Sequence, residues 1–355
     1  MAMSTGAGPG AGGAGGPTVG VAVVGYGYWG PNLVRNLAEL PDASVRWVCD
    51  LQPDRLGPVS RRYPAVGITS DYDEVLRDPA VDAVVVATPV ATHYRLALAA
   101  LRAGKHVLVE KPLAATSEEA LELVDEAGRR GLVLSVDHTF VYTGAVRVMH
   151  ELVEKGTVGD LYYFDSVRVN LGLFQHDVDV MWDLAVHDLS ILDYIVPEKP
   201  VAVSAFAAAH VPHHPANVAY LTLAFESSMV AHVHVNWLAP VKVRHTLLGG
   251  SKQMIVYDDI EPSEKVRVYD RGIDLAGDRE AVYEMLVSYR TGDMWAPHVD
   301  LTEALRTETA HFLRCITDDE QPLTGGEEGL RVVRTLEAAA RSIEQQGRLV
   351  EIVHD

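Results

Sequence analysis

The segment from Thr18 to Leu40 constrains the fold more than any other. A short β-branched run, TVGVAVV, leads into Gly25-Tyr26-Gly27-Tyr28-Trp29-Gly30, and the helix-like NLVRNLAEL follows. A buried strand that passes through G-x-G-x-x-G into a helix is the start of a βα unit. The first glycine allows the tight turn, the second lets backbone approach a pyrophosphate, and the third lets helix and strand pack closely. The helix N-terminus adds free N–H groups and a partial positive charge. A Gly-rich turn that holds no ligand is the weaker alternative, because the motif sits in the context that gives it meaning. Asp50 ends the next strand-like run, SVRWVCD. A carboxylate there accepts hydrogen bonds from an adenosine ribose and repels a 2′-phosphate, which favours NAD over NADP. Arg55, close by in sequence, speaks for the phosphate, and a plain surface carboxylate at a strand end is the other reading of Asp50.

Strand-like and helix-like runs alternate up to about residue 137. VDAVVVATP, KHVLVEKP and LVLSVDH read as strands, and YDEVLRD, HYRLALAALRAG and SEEALELVDEAGRRG as helices, the last with Ser117 as its N-cap. Such alternation predicts a doubly wound parallel sheet. Beyond a helix at GAVRVMHELVEKG the pattern changes to successive strands: LYYFDSVRVN, VAVSAFAAA, NVAYLTLAF, SMVAHVHVNWL, VKVRHTLLGG, SKQMIVYDD and EKVRVYD. Strands in sequence without helices between them predict a large, mostly antiparallel open sheet. DVMWDLAVHDLSILDYI interrupts them as a helix. The fold class is therefore α/β, an N-terminal Rossmann unit followed by a second α/β domain. The expected division is a disordered Gly/Ala tail at 1–17, a dinucleotide domain at 18–137 and a second domain at 138–355, whose last helix, about 327–346, packs back toward the first.

Charge and composition remove whole classes. With Lys+Arg 30 against Asp+Glu 49 the net charge is −19, the wrong sign for neutralising nucleic-acid phosphates. No apolar run reaches the ~20 residues that span a bilayer, and the first residues lack the layout of a signal peptide, so a cytoplasmic location is expected. The two cysteines, Cys49 and Cys315, make no disulfide framework and no metal-ligand spacing. His232 and His234 share one side of a strand, but no third ligand accompanies them, so no metal is expected. They read as sheet-surface or subunit-interface residues.

Two elements carry candidate chemistry. Glu110-Lys111-Pro112 ends a predicted parallel strand, where ligands of such sheets bind. A lysine there can stabilise an oxygen as it becomes negative. In Trp182-Asp183-Leu184-Ala185-Val186-His187-Asp188, an α-helix would place Asp183 and His187 on one face, with the carboxylate orienting an imidazole that exchanges protons. Taken singly, the first is an ordinary salt-bridge candidate and the second a structural Asp–His hydrogen bond.

Together, VGYGYWGPN, ATPVATHY, EKP and WDLAVHD, in this order over nearly the whole chain, resemble the glucose-fructose oxidoreductase/inositol dehydrogenase (Gfo/Idh/MocA) family. The segments around SVRVNLGLFQHDVDVMWDLAVHDLSIL and WLAPVKVRHTLLGGSKQMIVYDD are similar to its nucleotide-sugar 3-dehydrogenase branch and to relatives in antibiotic-sugar pathways. The resemblance implies an NAD-dependent enzyme acting on a ring hydroxyl of a small sugar-like substrate, most simply C3 of a hexopyranose, and a homodimer or homotetramer joined through the outer face of the second sheet. It implies that Lys111, Asp183 and His187 converge at the nicotinamide, that Thr88, Pro89, His93 and Glu110 lie beside the cofactor, and that His138, Arg168, Asn170 and Gln175 are candidate substrate contacts. Val186 and Asp179 stand where the family commonly has Pro and Asn, which bears on helix geometry and substrate choice. A hydrolase or lyase that recycles its NAD internally, and a non-catalytic NAD-dependent binding protein, are the rival readings.

Overall fold

A computed structural model describes residues 18–172, 178–270 and 292–354, together with the backbone of 272–275 and 287–290. The expected tail at 1–17 and the candidate contact Gln175 lie outside the described residues.

The first sheet is built from β1 (Val19–Val24), β2 (Ala43–Cys49), β3 (Gly67–Thr69), β4 (Ala83–Val86), β5 (His106–Glu110) and β6 (Leu134–Asp137). All pairs are parallel, in the order β3-β2-β1-β4-β5-β6. Helices α1 (Gly30–Glu39), α2 (Pro53–Arg62), α3 (Tyr72–Arg77), α4 (His93–Arg102) and α5 (Ser117–Arg130) connect them. β1 is buried on both faces: Val21 and Val23 join the core beneath α1, while Ala22 and Val24 join the core beneath α4 and α5. This accounts for its unbroken apolar run. The order reverses between β1 and β4, and the crevice that opens there is where a doubly wound sheet binds its ligand. Ser117 is not the cap expected of it. Thr116 is the N-cap of α5, its hydroxyl accepting the Glu119 N–H, and Ser117 instead donates to Glu337.

Past α6 (Gly144–Glu154), strands β7 (Leu161–Leu171), β8 (Ala202–Ala208), β9 (Val218–Ala224), β10 (Val230–Asn236), β11 (Leu238–Gly250), β12 (Met254–Asp258) and β13 (Val266–Tyr269) belong to the second sheet. After the separate hairpin β14 (Gly272–Leu275) and β15 (Val287–Arg290), the short β16 (Met294–Trp295) and β17 (Val350–Glu351) complete it. Its order is β16-β13-β12-β11-β7-β10-β9-β8-β17. Among the described pairings of this sheet only β7 with β10 is parallel, so the sheet is mixed but mostly antiparallel, as the succession of strands without helices between them predicts.

The segment from Asp179 to Ile195 departs from one continuous α-helix. Asp179 accepts the N–H groups of Met181 and Trp182 at 2.9 and 3.0 Å, and Met181–Ala185 then forms a π-helical turn before α7 (Val186–Ile195). Two last helices, α8 (Ala304–Thr317) and α9 (Gly326–Glu344), return to the first sheet. Leu305, Phe312 and Leu313 of α8 join the core under β1. α9 divides itself: Leu330 and Val333 pack against the first sheet, Val332, Leu336 and Ala339 against the second. Helix α9 therefore ties the two sheets together.

Candidate active site

A cleft of about 850 Å³ runs across the carboxyl ends of β1, β2, β4 and β5, within the size range of cofactor sites. The glycine loop forms one wall. Gly25 has φ +96°, and a side chain there would meet the Ala87 carbonyl at 2.3 Å. At Gly30 a Cβ would sit 2.2 Å from the Gly25 carbonyl, so the third glycine is needed for α1 to pack on the loop. At Gly27 nothing lies nearer than an Arg55 nitrogen at 3.7 Å. The space a Cβ would occupy there opens into the cleft, which fits a dinucleotide diphosphate lying on bare backbone. Tyr28 and Trp29 stand exposed at the mouth, their rings edge-to-face at 5.7 Å.

Asp50 is buried and already engaged. It accepts the Tyr26 N–H at 2.7 Å and the Gln52 N–H at 2.8 Å, and pairs with Arg55 at 3.4 Å. The carboxylate thus clasps the glycine loop as well as facing the cleft. Thr88, Pro89, Glu110 and Lys111 line the opposite wall. His93 does not. It is 1% exposed, with one ring nitrogen 2.8 Å from the Pro112 carbonyl and the other 2.7 Å from the Thr88 carbonyl. Expected beside the cofactor, it lies behind the wall and ties the two wall loops to each other. Ser70, Asp71 and Tyr72 also line the cleft, beside Asp50, and no motif marked them.

The Lys111 ammonium reaches out of this cleft to the π-helical turn. It donates to the Asp183 carboxylate at 3.0 Å and to the Asp183 carbonyl at 2.8 Å. The other Asp183 oxygen accepts the indole N–H of Trp237 at 3.1 Å. The expected Asp183–His187 pair is therefore absent. A π-helical turn bonds residue i to i+5, so the four-residue spacing no longer stacks the two side chains. Asp183 serves Lys111 and the Trp237 indole instead. His187 packs edge-on against Phe140, centroids 4.9 Å apart, and its buried Nδ1 has no hydrogen-bond partner. Burial first, then the positive charges of Lys111, Arg168 and Arg244, hold the imidazole well below its ordinary pKa, so it is neutral around pH 7.

His138 follows β6 as expected and is buried, with both ring nitrogens unpartnered and its pKa pushed down to about 4 by burial. Arg168 is buried in a two-bonded pair with Asp188, at 2.7 and 3.2 Å. Its guanidinium lies 4.3 Å over the Phe140 ring, which Arg244 flanks at 5.2 Å. Asn170 is partly buried, two residues beyond Arg168 on the same side of β7. Phe140 and Trp237 carry no motif; each reads as an ordinary core aromatic until the packing is known.

Two family models match in tandem: an oxidoreductase family with an NAD-binding Rossmann fold over residues 19–138, and the Gfo/Idh/MocA C-terminal domain over 146–256. The myo-inositol 2-dehydrogenase of Thermotoga maritima is 25% identical over 92% of this chain and 96% of its own. A solved structure described as an oxidoreductase of Magnetospirillum magnetotacticum MS-1 is 30% identical, with a TM-score of 0.78 over 90% of this chain and 99% of that one. The UDP-N-acetylglucosamine 3-dehydrogenase of Acidithiobacillus ferrooxidans shares the fold, with a TM-score of 0.78 at 24% identity over 92% and 98% of the two chains. Among the described residues no helix is long and apolar enough to cross a membrane. With its NAD-binding Rossmann domain and the matching C-terminal domain, the chain belongs to the Gfo/Idh/MocA family of oxidoreductases, dehydrogenases of sugars and related alcohols.

Proposed function

We propose that this protein interconverts a secondary alcohol and a ketone on a sugar ring, most simply at C3 of a nucleotide-linked or antibiotic-pathway hexopyranose. The observation that carries the reading is the Lys111 ammonium, pinned by Asp183 at the edge of the cofactor cleft beside a neutral His187. The bound nicotinamide supplies the hydride acceptor or donor. Gly25, Gly27, Gly30 and the α1 N-terminus hold its diphosphate, Asp50 its adenosine ribose, and Thr88, Pro89 and Glu110 its nicotinamide half. The engaged Asp50 carboxylate favours NAD over NADP.

Two of the three ammonium N–H groups of Lys111 are spent on Asp183, which leaves one for the reacting oxygen. That donor stabilises the oxygen as negative charge develops. His187, neutral and with a free lone pair, takes the hydroxyl proton, an assistance worth about 10²–10⁴-fold. Asp183 acts on Lys111, holding the ammonium in place, rather than on His187. Arg168 and Arg244 flank Phe140 next to this pair and, with His138, supply the donors that orient the ring. The nucleotide-sugar preference is supported by the acetylglucosamine 3-dehydrogenase fold match. The outer face of the second sheet pairs two copies of the chain.

The test is absorbance at the reduced-nicotinamide band with NAD, NADP and a panel of nucleotide sugars, free sugars and aminoglycosides. Reduction of NAD by one sugar class, lost by about 10²-fold or more in Lys111→Ala with NAD binding retained, is the expected outcome. Release of a glycosidic leaving group without net nicotinamide reduction would move the protein to the hydrolase class.

A further inference from the structure

Behind Lys111 lies a cluster of carboxyls of which the proposed hydride transfer uses only Glu110. Glu110 ends β5 directly opposite Asp137, which ends β6. Glu110 turns one carboxylate oxygen back to accept the Lys111 backbone N–H at 2.9 Å. Asp137 accepts the hydroxyl of Thr139 and touches the carboxyls of both Glu110 and Glu308. Glu308 comes from α8, nearly two hundred residues further along the chain. It is 1% exposed, and neither of its carboxyl oxygens has a hydrogen-bond donor in ordinary geometry.

Three buried carboxyls in contact cannot all be anions, because like charges at such range in a poorly solvated site drive protonation. Among the described residues, Lys111 is a cation that acts on Glu110 and Asp137, and its ammonium is turned away to Asp183. Thr139 and the buried Tyr142, on the turn after β6, also face the cluster, and neither is positive. The oxygen-to-oxygen contact between Glu308 and Asp137 is therefore a hydrogen bond only if a proton sits in it.

We propose that Glu308 is a positioning residue for the catalytic lysine: it donates a carboxylic O–H to Asp137, and the chain Glu308–Asp137–Glu110 fixes the Lys111 peptide from which the ammonium is presented. Burial raises all three carboxyls above their usual range, in keeping with shared protons. A neutral acid is the form of Glu308 that satisfies Asp137 without adding a buried charge, and the Glu110–Asp137 contact takes a second proton, carried by Glu110. The inference rests on Lys111 acting at the substrate, as proposed above.

Two variants of the full chain test it. Glu308→Gln keeps a donor for Asp137, and Glu308→Leu removes it without introducing a polar group in its place. In the infrared spectrum at neutral pH, the protonated-carboxyl band of the wild type loses intensity in Glu308→Gln. The Lys111 backbone amide resonance, held by Glu110, shifts in Glu308→Leu and stays near its wild-type position in Glu308→Gln. On the sugar that the panel identifies, kcat falls about tenfold or more in Glu308→Leu with KM for sugar and NAD within about twofold, and the Gln variant restores it to within about threefold of wild type. An infrared band unchanged in Glu308→Gln overturns the shared proton, and it decides the matter alone if the Leu variant does not fold. A Lys111 amide that stays fixed in a folded Glu308→Leu overturns the positioning role. Both readouts need no sugar, so a silent panel defeats the functional reading without touching them.

Discussion

At the scale of single residues, Lys111 follows a strand end, so its position in the cleft wall comes directly from the parallel topology. The partner of Asp183 is not legible in the spacing, because a π-helical turn breaks the α-helical register and because the Trp237 indole that takes its second oxygen arrives from the bend between β10 and β11, far along the chain. His93 sits in a motif that also faces the cofactor, and only the carbonyls of Thr88 and Pro112 reveal that its ring points the other way. The buried histidines carry a prediction of their own. His138, held at about 4 when folded, returns to about 6.5 when unfolded. Below 6.5 the unfolded chain therefore binds the extra proton, and the stability contributed by keeping His138 neutral is present above 6.5 and lost as pH falls toward 4, by about 1.4 kcal/mol per pH unit. Glu110 and Glu308, raised rather than lowered, act in the opposite direction, losing their contribution as pH rises through their folded values. The quantity to read is thus the difference between wild type and His138→Asn in urea unfolding. That difference should be constant from pH 6.5 to 8 and should change by about 1.4 kcal/mol per unit between 6.5 and 4; a constant gap across the whole range would show that His138 titrates normally.

At the scale of elements, periodicity located what it could. The helices whose apolar residues recur without polar interruption were readable, and so were the strands with clean alternation. Helix α8 was missed because its inward face mixes Leu305, Phe312 and Leu313 with Glu308, Thr309 and His311, which are buried as well. Polar residues on a core face erase the amphipathic signal, and here they do so where α8 meets the carboxyl cluster. The β1–α1 unit gives a sharper contrast between two glycines that the motif treats alike. A methyl at Gly30 would collide with the Gly25 carbonyl at 2.2 Å, which is backbone and cannot rotate aside. Gly30→Ala should therefore lower stability by about 1–3 kcal/mol, the usual cost of overpacking, with or without NAD. Gly27 has open space before it. Gly27→Ala should leave the melting temperature of the NAD-free protein within error of wild type and weaken NAD binding by about tenfold or more, roughly 1.4 kcal/mol. Calorimetric titration alongside thermal melts separates the two. Equal effects on fold and on NAD would mean that the loop, rather than the diphosphate, sets the requirement at Gly27.

At the scale of the whole molecule, the second sheet is asymmetric in what its two faces touch. Val203, Ala205, Leu221, Val233 and Leu248 point toward the core shared with α7 and α9. The alternate residues point away, and the strand register lines them up in a row: Phe206 beside Tyr220, Tyr220 beside His234, His234 beside Val167, and Val167 beside His245. Tyr220 stacks on His234 with centroids 4.3 Å apart and stays 45% exposed, and Phe206 is 58% exposed. An aromatic row of this kind, on a chain carrying a net charge of −19, is the stretch of surface where two copies can meet without stacking carboxylate on carboxylate. His232 is the exception in the row alongside, paired to Asp165 at 3.2 Å. A second copy seated here would bury on the order of 800 Å² from each partner and would leave both cofactor clefts open, since those lie at the carboxyl ends of the other sheet. Tyr220→Asp combined with His234→Asp places two unpaired charges in that contact, each costly to bury. Sedimentation velocity at micromolar concentration should then show the wild type as a dimer or tetramer and the double variant as a monomer with unchanged circular dichroism. A wild type that sediments as a monomer, or a double variant that keeps its assembly, would assign the aromatic row to some other contact and leave the sheet's outer face without a role in pairing.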